Sequence, residues 1–154
     1  YIADGPVTVT SRTWTPGDDG GSYGLTLPGE PVGAASYAGS GQAGTLRVVV
    51  NQRSGFRANF GVVNVSPVQI TVLVEIFTAD GEPAPGNSSF TLDLKPFGMT
   101  QVNDILKRLT AGERDGLIIR AGVASDERAI FSYLTDVDNT TNDSSYQAGF
   151  RFAF

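Results

Sequence analysis

The sequence contains no cysteine and no histidine. These two absences remove disulfide staples, thiol nucleophiles, every Ser-His or Cys-His pair and the usual zinc ligands. Charge is sparse as well, at 18% of 154 residues with a net −5 and no Lys/Arg cluster. Nucleic-acid binding needs a basic face, so no nucleic-acid partner is expected. No apolar run approaches the roughly 18 residues of a membrane helix, so no membrane insertion is expected. Trp and Met occur once each.

What is abundant is glycine, valine and threonine, a composition that suits strands and turns better than helices. A chain of this length reads as one domain and buries roughly 70% of its unfolded surface, enough for a core without disulfides.

Periodicity divides the chain. Pro6 to Trp14, "PVTVTSRTW", alternates Val7 and Val9 with threonine, the period of a half-buried strand. "TPGDDGGSYG" follows with turn chemistry. Residues 15–44 read as a Gly/Pro/Ser/Ala-rich connection, irregular from 28 onward with room for one short strand. From residue 45 to 154 the chain reads as a meander of strands. "VQITVLVEIFT" is almost wholly apolar and predicts a central strand covered on both faces, so that Ile76→Asp abolishes folding. "FTLDLK" alternates, with Phe90, Leu92 and Leu94 on one face. One short helix is predicted over 103–111, with Asn103 as N-cap, Asp104 in the first turn, Ile105, Leu106 and Leu109 on one face, and Gly112 as stop. The fold class is all-β, an antiparallel Ig-like β-sandwich with that one helix. "GFRFAF" ends the sequence with Phe150, Phe152 and Phe154 alternating. It reads as a last sandwich strand, the alternative being the closing strand of an outer-membrane barrel.

Candidate sites are few. "DVDNTTNDSS" carries Asp136, Asp138, Asn139, Asn142 and Asp143, oxygen ligands of the type calcium prefers. It lacks the glycine and late glutamate of an EF-hand, and an Asx-rich surface turn bonding its own backbone is the competing reading. Asn87, Asn139 and Asn142 begin N-glycosylation sequons. Paired carboxylates for glycoside hydrolysis must face each other across a cleft. Glu30, Glu75, Asp93 and Asp126 are scattered, and Glu75 reads as the cross-strand partner of Arg47 or Arg120. No enzyme activity and no obligatory cofactor are expected.

One set of motifs is specific. "FRANFGVVN" carries Arg57, Asn59, Gly61 and Asn64, and a long strand then ends at Asp80-Gly81. "LKPFG" and "QVND", with Asn103 and Asp104, follow, and "DVDNTTND" comes after the penultimate strand. Across residues 45–146 this succession resembles β-sandwich modules found singly or in tandem in large secreted bacterial proteins. The resemblance implies a fold and an extracellular or cell-surface setting, not an activity. Arg57, Asn59 and Asn64 read either as a ligand face or as groups that serve the fold.

The chain also echoes itself. "DGPVTVTSRTWTPGDDGGSYGLTL" aligns with "DERAIFSYLTDVDNTTNDSSYQAGF", each an alternating strand, an Asp/Gly/Asn turn and then Ser-Tyr, at Ser22-Tyr23 and Ser145-Tyr146. The first strand thus looks like the closing strand of a module, and residues 1–14 are expected to complement a neighbouring copy, the alternative being an ordinary first strand that folds back onto its own sandwich. Val7 and Val9 would enter the neighbour's core, with Trp14 in the same inter-subunit strand and "TPGDDGG" as a hinge. The function expected from this is a structural subunit of a pilus-like filament or surface assembly, its partners other copies of itself, head-to-tail. The alternative is a secreted carbohydrate- or protein-binding module, which an aromatic platform would favour.

Overall fold

A computed structural model describes residues 5, 7–18, 20–31, 35–37, 44–52, 55–110, 114–123 and 129–151. Twelve strands are found among them: β1 (Thr10–Pro16), β2 (Ser22–Pro28), β3 (Ser36–Tyr37), β4 (Gly44–Gln52), β5 (Phe56–Asn64), β6 (Ile70–Phe77), β7 (Ser89–Leu94), β8 (Met99–Val102), β9 (Arg114–Val123), β10 (Ala129–Asp138), β11 (Ser144–Ala148) and β12 (Phe150–Arg151).

Two antiparallel five-stranded sheets form the body. One runs β11-β10-β5-β8, with β3 also pairing to β10, and the other runs β12-β4-β9-β6-β7. From β3 onward the chain changes sheet at every step except between β6 and β7 and between β10 and β11. This is the sandwich expected from the alternating strands. Its core lies between the sheets. Ala58, Phe60 and Val62 of β5 and Ile130 and Leu134 of β10 come from one side, and Val72, Val74 and Ile76 of β6 and Leu117 and Ile119 of β9 from the other. The spacing of two in each set is the reason a single face of each strand is apolar.

Four expectations need correction. The helix over 103–111 is a single 3-10 turn, Ile105–Arg108, and the residue at its N-cap is Asp104, not Asn103. Asp104 is left-handed at φ 48, and Leu109 is already extended at φ −84 and ψ 159, so no second turn can propagate. Tertiary contact holds the piece instead. Ile105, Leu106 and Leu109 are buried in the core, and the backbone from Arg108 to Thr110 is tied to residues 85–87 by Asn87 N–H to Arg108 O and Thr110 N–H to Pro85 O, both 3.0 Å.

Second, β6 is central but is covered on one face only. Ile70, Val72, Val74 and Ile76 are buried, whereas Leu73 is 42% exposed. An antiparallel sheet tolerates a solvated face, and here that face carries an ion pair. Arg120 Nε donates to Glu75 Oε2 at 2.9 Å, across the β6–β9 register, and its guanidinium lies 4.8 Å from the centre of the Phe77 ring.

Third, the segment read as a connection contains β2, and "TPGDDGG" is a hairpin turn rather than a hinge. Gly17 N–H donates to Gly21 O at 2.9 Å and Gly20, at φ 82, donates to Gly17 O at 3.2 Å. Glycine supplies the positive φ that folds β2 back onto β1. Fourth, the first strand begins at Thr10 rather than Pro6. Val9 O still accepts the Gly29 N–H at 2.7 Å, extending the pairing by one residue.

At the other end, β12 pairs with β4 through Phe150↔Arg47 and Arg151↔Leu46, while Phe152 and Phe154 lie outside the described residues. No helix among the described residues is long and apolar enough to cross a membrane.

Candidate functional site: the groove under the first hairpin

Hairpin β1–β2 belongs to neither five-stranded sheet. Its two strands pair from Thr10↔Pro28 to Pro16↔Ser22, and the hairpin lies over the outer face of the β11-β10-β5-β8 sheet. Between them is a groove of about 800 Å³. This is within the range of ordinary ligand pockets.

The sheet wall is set by alternation. Core residues occupy the even positions of β5 and β10, so Gly61, Val63, Phe131, Tyr133 and Thr135 point outward. The centre of this wall is Tyr133. It stands opposite Gly61 across the β5–β10 ladder, and any Cβ at position 61 would come within 2.1 Å of its ring. The ring therefore lies across the bare backbone of Gly61, and its hydroxyl donates to Gln101 Oε1 on β8 at 2.9 Å. A glycine in a strand is costly, and close approach of another group is what it allows. Tyr146 on β11 is nearly parallel to Tyr133, at 29° with ring centres 6.0 Å apart. Burial raises the pKa of both phenols, and nearby Glu30 and Tyr133 add to the effect on Tyr146. Both rings stay neutral through the physiological range.

The hairpin wall presents the row Ser11, Thr13 and Thr15 of β1 with their partners Leu27, Leu25 and Tyr23 of β2. Trp14 is in the opposite row, across from Gly24, and is 60% exposed. The internal echo is thereby given a structural meaning. Its two copies are hairpins, β1–β2 and β10–β11, and their tyrosines, Tyr23 and Tyr146, line one groove. The sequence offered the echo as a signal, but not that the copies would face each other. Glu30 is the one charged side chain among the described residues lining the groove.

Of the residues singled out in the sequence, Gly61 lies in the sheet wall and Trp14, Glu30 and Asn142 border the groove, while most of the others are engaged by the fold. Asn64 is fully buried. Its Nδ2 donates to Val68 O at 2.7 Å and Lys95 O at 2.9 Å, and its Oδ1 accepts from Ser66 N at 2.9 Å and Ser66 Oγ at 2.6 Å. Asn59 donates to Thr135 Oγ1 at 3.3 Å and accepts the Asp104 N–H at 3.0 Å, joining β5 to β10 and to the 3-10 turn. Arg57 donates to Asn139 Oδ1 at 2.6 Å. Asn103 accepts from Gln101 at 2.7 Å. Asp80-Gly81 is a turn, with Gly81 at φ 86 and its N–H on Thr78 O at 3.0 Å.

"DVDNTTNDSS" is a surface turn from β10 to β11. Asp138 N–H donates to Asp143 O at 2.9 Å, and Asn142, at φ 60, donates to Asp138 O at 2.8 Å. Asp138 Oδ1 accepts the N–H groups of Thr140 at 2.7 Å and Thr141 at 3.3 Å. These backbone donors hold its carboxyl below the usual carboxylate range. Of the five candidate ligands, Asp136 lies within β10, Asp138 Oδ1 is engaged within the turn and Asn139 Oδ1 by Arg57, and no group of three or more acidic side chains among the described residues is placed to hold a metal. Asn87, Asn139 and Asn142 are exposed. Of the scattered acids, Asp93 Oδ1 accepts from Thr71 at 2.6 Å, Glu30 is in the groove, and Asp126 lies outside the described residues. Val7 and Val9 are 52% and 56% exposed.

No protein-family model matches this chain, and no curated protein matches it. Among solved structures, it is similar to the crystal structure of Thermotoga maritima 1070, with 11% identity and a TM-score of 0.49 over 69% of this chain and 91% of that one.

Proposed function

We propose that this chain is a non-enzymatic structural subunit of an extracellular bacterial filament or surface assembly, joined head-to-tail by β-strand addition at its first hairpin. The observation that carries the reading is the state of β1. All seven of its residues are exposed, and among the described residues it is paired on one edge only, to β2. Native proteins protect such edges or use them. Protection here is slight, since Arg12 is the single charge in the strand and Pro16 stands at its end. Val7, Val9 and Trp14 add exposed apolar surface along the same arm. Pairing of the open edge of β1 with an edge strand of a second copy supplies backbone hydrogen bonds for affinity and alternate side chains for register. Such a contact uses two different surfaces, so it does not close by symmetry and extends into a fibre. The extracellular setting rests on the resemblance of residues 45–146 to secreted bacterial modules.

Sedimentation of the full chain over a range of concentrations, with electron microscopy of the product, tests this. The full chain is expected to polymerise, and a variant lacking residues 1–30 to remain a folded monomer. Val7→Lys/Val9→Lys, which changes only exposed positions, is expected to block assembly with the fold intact. A full chain that is monomeric at every concentration, or a lysine variant that still polymerises, overturns the proposal.

A further inference from the structure

The geometry points to a second property of the molecule: the groove between the first hairpin and the outer sheet face is a binding site for a neutral saccharide. Three observations converge on that class of ligand. The first is the platform. Tyr133 lies against the backbone where Gly61 has no side chain, is fixed in direction by its hydrogen bond to Gln101 at 2.9 Å, and lines the groove. Tyr146 is stacked with it, ring centres 6.0 Å apart and planes within 29°, and lines the same groove. Broad flat aromatic surface with a polar edge suits the apolar C–H face of a pyranose ring. A bulkier residue at 61 would forbid this arrangement, and the strand gives up packing and chain entropy to have glycine there.

The second is the distribution of polar groups. Hydroxyls of Ser11, Thr13 and Ser144, the amide of Gln101 and the side chain of Asn142 lie around the tyrosines on both walls. A pocket that is largely apolar with a few placed donors and acceptors orients its ligand through them, and sugar hydroxyls need such partners on their rim. The third is charge. Glu30 is the one charged side chain among the described lining residues, close enough to Tyr146 to raise its pKa. A groove with one carboxylate and no cation disfavours uronates, sulfated sugars and phosphates. The volume of about 800 Å³ accommodates an oligosaccharide of a few rings. A glycosidase would need two facing carboxylates, and among the described lining residues there is only Glu30, so the site binds rather than cleaves.

The test is a calorimetric titration of the full chain, below its assembly concentration, with neutral oligosaccharides, beside anionic ones and a fatty acid. Binding of a neutral oligosaccharide is expected, with ring signals of Tyr133 and Tyr146 shifting in the NMR spectrum of the unmutated protein. Tyr133→Ala is expected to weaken it about tenfold, the loss of one aromatic contact. Gly61→Ala should act likewise by displacing the ring, whereas Tyr133→Phe retains most of the affinity. Failure of every neutral oligosaccharide to bind, preference for the anionic sugars or the fatty acid, or unshifted tyrosine signals overturns the assignment. These measurements are made on the unassembled chain, so the two readings fail separately: a chain that binds sugar but stays monomeric at every concentration refutes only the assembly reading, and a chain that polymerises at higher concentration but binds no sugar below it refutes only this one.

Discussion

At the scale of single residues, the most constrained position is Asn64. It makes four hydrogen bonds from a fully buried side chain: three, to Ser66 and Val68, close the β5–β6 turn, and one, to Lys95 O, ties that turn to the segment that follows β7. Truncation leaves Ser66 and two carbonyls short of partners in the interior. Asn64→Ala is expected to cost about 3 kcal/mol, measured by urea unfolding, because buried groups stranded without partners carry their full desolvation penalty. Phe97 is the opposite case. It has φ 54 in the turn before β8 and is 69% exposed, so its ring gains little from the fold while its backbone is strained. Phe97→Gly is expected to stabilise the protein by about 1 kcal/mol, since only glycine visits that conformation without cost. An unchanged or lowered denaturation midpoint would show that the ring is supported by something else. Asp138 makes a pH prediction. Its carboxyl pKa is depressed by backbone N–H groups of Thr140 and Thr141, so its contribution is present above the ordinary carboxylate pKa and is lost as pH falls through the lower folded value. An NMR titration should give Asp138 a midpoint below that of an ordinary aspartate, and Asp138→Asn should remove the corresponding acid sensitivity of the turn.

At the scale of elements, strands with one apolar face were legible and the exceptions have identifiable causes. The alternation in "FTLDL" and the odd-even pattern of "FRANFGVVN" gave β7 and β5 because a half-buried strand leaves a period of two. In β6 the same signal was masked by Leu73 and Phe77, apolar residues on a face the sandwich leaves to solvent. The two faces respond differently. Ile76→Asp is expected to abolish folding, since it places a charge where 1% of the residue is exposed, whereas Leu73→Asp is expected to stay within about 0.5 kcal/mol of the parent by chemical denaturation. A folded Ile76→Asp protein would place that face outside the core. Strand β2 was missed although Tyr23, Leu25 and Leu27 alternate with exposed neighbours, because the alternation is short, lies between Gly- and Pro-rich stretches, and buries none of the three fully. The groove was not legible at all. Tyr23, Tyr133 and Tyr146 are brought together only by β1–β2 folding over the sheet, and no local pattern encodes that approach.

At the scale of the whole molecule, stability is concentrated between the two sheets and the hairpin adds little to it. The described core draws on β5, β6, β7, β9, β10 and the 3-10 turn and on no residue of β1 or β2. Native-state hydrogen exchange is therefore expected to show the amides of β5, β6, β9 and β10 opening only with global unfolding, and those of β1 and β2 exchanging far sooner. Equal protection throughout would mean that the hairpin is integral to the sandwich. Chelation is expected to leave the thermal midpoint unchanged, since backbone N–H groups and Arg57, rather than an ion, hold Asp138 Oδ1 and Asn139 Oδ1 in the turn. A fall of more than about 10 °C with EDTA, beyond what an ordinary 1 kcal/mol change gives in a domain of this size, would reveal a structural ion.

Trp14 has one more consequence. It is the only tryptophan in the chain, it stands in β1, and it is 60% exposed. Light absorbed selectively by indole is then emitted from the hairpin alone, with the sandwich silent. The molecule carries its own optical reporter on the arm: a blue shift marks the arm being covered by a neighbour, accessibility to a quencher measures how far it stands from the sheet, and neither signal needs a label or a mutation.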